Sequence, residues 1–112
     1  MKKIEAVIRE EQLPVVRKAL EDVGYPGITI SHVRGHGRQK GVTQQWRGRE
    51  FTVDLLPKVK LEMIVADADA QRIAQTIAEN ARTGAVGDGK IWVSDVSTII
   101  RVRTGESGDT AI

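Results

Sequence analysis

The chain has no cysteine among its 112 residues. That excludes disulfides, thiolate metal sites and cysteine nucleophiles together. Aromatic residues are scarce: Tyr25, Trp46, Phe51 and Trp92 are the whole set. Sheet platforms that stack RNA bases need a run of aromatics, so a ferredoxin-like nucleic-acid-binding domain is a poor fit and direct nucleic-acid contact is not expected. No apolar run approaches the roughly 18 residues of a membrane span. The N-terminal Met1-Lys2-Lys3-Ile4 leads straight into alternation, without the long apolar stretch of a signal peptide. The expectation is a cytoplasmic protein. No Ser–His–Asp or paired-carboxylate constellation stands out, so the chain does not read as an enzyme. His32 and His36 fall on a strand and its exit, and read as surface histidines.

What is present is a globular composition, 40% hydrophobic and 29% charged, in a length that suits one domain over 1–112. A net charge of +2 hides an uneven distribution. Residues 1–31 are balanced, residues 32–60 carry +5, and residues 61–112 carry −3. A concentrated basic segment suits an anionic partner or ligand, or equally a solvated loop.

Hydrophobic periodicity predicts strands at Lys2–Arg9, Ile28–Arg34, Lys58–Ala66 and Ile91–Val96, with a short extended piece at Ile99–Arg103. It predicts helices at Leu13–Val23, with Pro14 in the first turn, and at Asp67–Arg82. Strand, helix, strand, strand, helix, strand is the α+β, ferredoxin-like βαββαβ arrangement. Two helices would cover one sheet face. The other face, with Val7, Val33 and Ile64, is expected to pack against further copies of the chain. Between the second and third strands lie about 20 residues, Gly37 to Pro57, where a hairpin would suffice. Loops of that length are usually functional or disordered.

Three basic clusters point to a polyphosphate. In Gly84–Lys90 the spacing imitates a Walker A loop, but Ile91 follows the lysine, and the order is helix, loop, strand. A P-loop runs the other way. What survives is that Gly87 and Gly89 allow close approach of an anion and Lys90 supplies a charge. A helix cap followed by a turn explains Gly84 alone. The second cluster is Gly35–Gly41. The third is Arg101 and Arg103, placed on one face if the chain there is extended.

Together these residues resemble the PII signal-transduction proteins of nitrogen metabolism. The likeness runs from Met1 to Glu106. It is most specific in Gly35–Gly41, in Arg47-Gly48 with Glu50, in Asp54–Lys60, in Thr83–Lys90 and in Ile100–Gly105. The resemblance implies a ferredoxin-like homotrimer binding ATP or ADP in clefts between subunits. It implies a T-loop (37–57), a phosphate-binding B-loop (82–90) and a C-terminal segment (101–112). The nucleotide set would be Gly27, Thr29, Gly35, Gly37, Arg38, Gln39, Glu62, Ile64, Gly87, Asp88, Gly89, Lys90, Arg101 and Arg103. Of these, Gly27, Thr29, Glu62 and Ile64 would line the base and ribose end. Gln39 would meet a Mg²⁺ held by the phosphates. 2-Oxoglutarate would complete that metal's coordination, with Lys58 on its distal carboxylate and Arg9, Lys40 and Gly41 nearby.

The implied partners are carried by the T-loop. An Amt-type ammonium transporter comes first, with Arg47, Arg49 and Phe51 as contact residues and Arg47 inserted in the pore exit. Such a partner would recruit the protein to the membrane. Glutamine synthetase or a transcription regulator are the other implied targets, and an adenylate-only sensor of another pathway is the alternative reading. The sequence departs from the family pattern at four places. Phe51 stands where many members have tyrosine, and Arg49 where another branch has serine. A phenyl ring offers no oxygen for nucleotidylylation. Arg9-Glu10 replaces a common Lys-Pro, and Trp46 a usual tyrosine.

Overall fold

A computed structural model describes residues 1–36 and 55–112 in full, and residues 42–46 and 49–53 at the level of backbone pairing. Among the described residues, six strands and two α-helices follow one another. Strand β1 (Lys2–Arg9) is followed by helix α1 (Leu13–Asp22), then β2 (Thr29–Gly35), β3 (Val42–Trp46) and β4 (Arg49–Val53). The second half is β5 (Leu56–Val65), α2 (Ala70–Ala81) and β6 (Gly89–Asp95). The main sheet has the order β2-β5-β1-β6, antiparallel throughout. This is the ferredoxin-like topology expected from the element order.

Period-two alternation decides which side chains meet the helices. Ile4, Ala6 and Ile8 of β1 and Val59, Leu61, Met63 and Val65 of β5 turn to one face and are buried. Val16 and Leu20 of α1 and Ile73 and Ile77 of α2 meet them there. Each of the larger side chains, Val, Leu, Ile and Met, contributes roughly 1.5–3 kcal/mol by leaving water. Gly24 ends α1 in a Schellman arrangement: Tyr25 N donates to Leu20 O at 2.9 Å and Gly24 N to Glu21 O at 3.1 Å.

The opposite face is less apolar than the pattern suggested. Val7, Val33 and Ile64 are there, half-buried. Between them runs an ionic ladder. Lys3 Nζ lies 3.1 Å from Glu62 and Lys60 Nζ lies 3.0 Å from Glu5, with Lys60 6.0 Å from the Trp92 ring centre. Lys60, ahead of Lys3, holds the Glu5 carboxyl below its usual range.

Helix α2 begins at Ala70, three residues after the expected Asp67, and β6 at Gly89, two before the expected Ile91. Three further differences matter for the site. The long connection contains a hairpin, with Val42 opposite Val53 and Trp46 opposite Arg49. Strand β5 begins at Leu56 and so takes in Pro57. Among the described residues, β5 has only β2 beside it at that point, since its pairing with β1 starts at Lys58, and a proline is tolerated where a strand lacks a second neighbour. The piece from Ile99 to Arg103 is not extended. Gly105 N donates to Arg101 O at 2.8 Å and Arg101 N to Glu106 O at 2.9 Å, so the chain turns back on itself. Gly105, at φ +73, makes that reversal, and the shared face expected for Arg101 and Arg103 is lost.

Candidate functional site: a clamped loop beside an open sheet

Because β1 and β6 are antiparallel neighbours, the end of β1 lies beside the loop that enters β6. The register sets Ile8 opposite Gly89 and Val7 opposite Lys90. The next residue of β1, Arg9, therefore reaches the loop. Its Nε donates to Asp88 Oδ1 at 3.0 Å and its Nη2 to Val86 O at 2.8 Å. Lys58 stands opposite Arg9 on β5. Its Nζ donates to Gly87 O at 2.6 Å. Lys58 is 8% exposed. Burial first, and the Arg9 charge second, push its ammonium pKa down.

Asp88 ties the loop to the end of α2. Its carboxylate accepts from the Thr83 hydroxyl, from Thr83 N at 2.8 Å and from Gly84 N at 2.9 Å, besides Arg9. The Thr83 hydroxyl, then Arg9, holds this carboxyl far below the usual carboxylate range. Gly89 has no substitute at its position. A Cβ there would stand 1.8 Å from Val7 O, and the backbone is at φ +102.

Six expected residues, Gly35, Lys58, Gly87, Asp88, Gly89 and Lys90, line one cleft of about 730 Å³, together with His36 and Trp92. Gly27, Thr29, Glu62 and Ile64 line a second cleft of about 560 Å³ with Lys3, Ile99 and Ile112. The two share no residue. Arg101 lines neither of these clefts. Its guanidinium donates to Thr110 O at 3.0 Å and Ile112 O at 3.4 Å and pairs with Glu106 at 3.7 Å. Arg103 is exposed on the turn. Gly37, Arg38, Gln39, Lys40, Gly41 and Arg47 lie outside the described residues, as do the side chains of Arg49 and Phe51, whose backbones belong to β4. The Arg9 grip on the loop was not foreseen from sequence. The antiparallel neighbourhood of β1 and β6 was the signal that could have revealed it.

The first cleft suits an anion. Lys90 and Lys58 are among its lining residues, and the Gly-rich loop forms its wall. Such a wall is the arrangement that receives phosphate oxygens. Among the described residues no group of three or more His, Asp or Glu is placed to hold a metal ion, and no helix is long and apolar enough to cross a membrane.

The chain is thus a small α+β fold with a glycine-walled cleft beside the end of β1. The comparisons fix the family. The pattern of the family described as "Nitrogen regulatory protein P-II" matches residues 1–106. "Nitrogen regulatory protein P-II" of Rhizobium meliloti is 52% identical over 112 residues, covering all of both chains. "Nitrogen regulatory protein P-II 1" of Escherichia coli is likewise 52% identical over the whole of both. "Nitrogen regulatory protein P-II 2" of Methanothermobacter thermautotrophicus is 50% identical over all of this chain and 97% of its own. The chain belongs to the nitrogen regulatory P-II family.

Proposed function

We propose that the protein is a trimeric sensor of ATP and ADP, and of 2-oxoglutarate together with Mg-ATP, and that it acts through residues 37–57 on an Amt-type ammonium transporter. The observation that carries the nucleotide reading is the convergence of Gly35, Lys58 and the Gly87–Lys90 loop on one cleft. Family membership supplies the regulatory context.

The division of the expected nucleotide residues between two clefts supports assembly. One chain places its loop cleft and its Gly27–Ile64 cleft apart, with Arg101 in neither. A subunit boundary is where such halves are joined. The half-exposed sheet face with Val7, Val33 and Ile64 is the surface for it. In the assembled site, Lys90 and the loop amides hold phosphate oxygens, and Lys58 faces the dicarboxylate. Bound Mg²⁺ offsets phosphate charge and takes oxygen donors. The role of Gln39 at that metal, and of Arg47 at the transporter, belongs to residues outside those described.

Arg9 favours a second reading. Its donation to Asp88 and Val86 commits it to the loop, which takes it from any direct part in holding a dicarboxylate. That favours the adenylate-only alternative. Calorimetric titration separates the two. Binding of 2-oxoglutarate only with Mg-ATP present supports the first reading, and reciprocity requires equal tightening of ATP. ATP binding with no 2-oxoglutarate response supports the second. No binding of either nucleotide overturns both.

A further inference from the structure

We propose that Arg9 is a positioning residue for the phosphate-facing loop, acting with Asp88 as its counter-ion. The inference rests on the nucleotide reading of the first cleft. Planar trans peptides set each carbonyl against the N–H of the next residue, and among the described residues no peptide is cis. Arg9 draws in the Val86 carbonyl, so the Gly87 N–H points away from Arg9. Lys58 draws in the Gly87 carbonyl, so the Asp88 N–H points away from Lys58. Two successive N–H groups are thereby turned off the sheet's own cations. The loop gives amides to an anion because its carbonyls are already engaged.

Asp88 makes the arrangement costly without Arg9. A carboxylate in the lining of a cleft that takes polyphosphate repels the ligand. Here that carboxylate is three-quarters covered, with 22% side-chain exposure, and Arg9 beside it is at 14%. The pair places opposite charges 3.0 Å apart beneath the loop. Asp88 then contributes its backbone N–H to the ligand and its side chain to the loop. Arginine suits the task because its fork reaches a carboxylate and a carbonyl from one side chain, and both are reached here.

The test is a cycle of variants in the full chain: Arg9→Ala, Arg9→Lys, Asp88→Asn and Arg9→Ala/Asp88→Asn. ATP affinity is read by calorimetry, and amide hydrogen exchange is read without ligand. Arg9→Ala is expected to weaken ATP by about tenfold or more. The double variant should recover a large part of that loss, since it no longer carries an uncompensated carboxylate. Arg9→Lys, with charge but no fork, should fall between wild type and Arg9→Ala. In ligand-free Arg9→Ala, amides 83 to 88 should exchange faster while those of β5 do not. If Arg9→Ala does not fold, Arg9→Gln takes its place in the cycle. Equal ATP affinity in wild type and a folded Arg9→Ala protein overturns the inference and leaves the nucleotide reading standing. So does strict additivity of the two substitutions. Failure of the wild type to bind ATP overturns the nucleotide reading, and this inference with it.

Discussion

The loop from Thr83 to Gly89 and the segment from Ile100 to Ile112 both carry residues expected at phosphates, yet they are held in opposite ways. The first is anchored by partly buried groups: Asp88 takes four donors, and Arg9 and Lys58 grip consecutive carbonyls. In the second, backbone bonds make the turn, but the Arg101 side chain is held by exposed contacts with its own downstream carbonyls and Glu106. Exposed ion pairs are worth about 0–1 kcal/mol, so the second set can be exchanged for a ligand at little cost. One region is built before a ligand arrives. The other has to trade partners to meet one.

The two glycines test this contrast most severely. Gly89→Ala would drive a Cβ into Val7 O and hold alanine at φ +102. Strain and overpacking together should cost about 3–5 kcal/mol and disturb the β1–β6 pairing. Gly105→Ala also places alanine at positive φ, +73, but meets nothing within 4 Å. Its cost should be about 1–2 kcal/mol. Thermal midpoints of the two variants, measured side by side, decide it. Equal losses would mean that the loop before β6 is no more constrained than the tail.

Lys90→Ala comes next. Lys90 lines the first cleft. A charge-assisted contact to phosphate is worth roughly 1.5–3 kcal/mol, so ATP should bind about tenfold more weakly or worse, with the thermal midpoint nearly unchanged. An unaltered ATP isotherm would show that the cleft does not hold the phosphates.

Much of this was legible in the sequence, and the limits have physical causes. The alternation of Ile4, Ala6 and Ile8 and the spacing of Ile73, Ile77 and Ala81 placed the core, because burial enforces period two in strands and 3.6 in helices. The loop cleft was legible because glycines next to a lysine are a local pattern. The Arg9–Asp88 pair joins residues 79 apart in sequence. Such contacts follow from strand order and register, which no local pattern encodes. The reversal at Gly105 was missed for a related reason. Arg101-Val102-Arg103 reads as alternation, and the turn is imposed by pairing with Glu106 and Ser107 further on.

Acid should separate the loop from the rest of the fold. The Asp88 carboxyl is held far below its ordinary value of 3.8 by Thr83 and Arg9. A lowered folded-state pKa adds stability that is complete above that ordinary value and fades as pH falls toward the folded value. Asp88→Asn removes this contribution at every pH. The variant should therefore melt below wild type at pH 7, and the gap should narrow progressively below pH of about 4. Thermal melts over that range check it. A gap that stays constant with acidification would mean that the Asp88 charge does not anchor the loop.

The smallest effect falls on the tail. Glu106 lies 3.7 Å from Arg101, with side-chain exposures of 45% and 37%. Glu106→Gln keeps the size and removes the charge. Stability should change by no more than about 0.5 kcal/mol, as for most surface positions. Ligand affinity should respond in the other direction. If Arg101 meets phosphate, it must first leave Glu106 and the carbonyls of Thr110 and Ile112. Removing one charged competitor worth up to about 1 kcal/mol should tighten ATP by about two- to fivefold. The gain should shrink as salt is raised, because both the competing pair and its replacement are exposed. Weaker ATP binding in Glu106→Gln would reverse the assignment: the carboxylate would then support the bound ligand, and the tail would be a pre-formed part of the site like the loop.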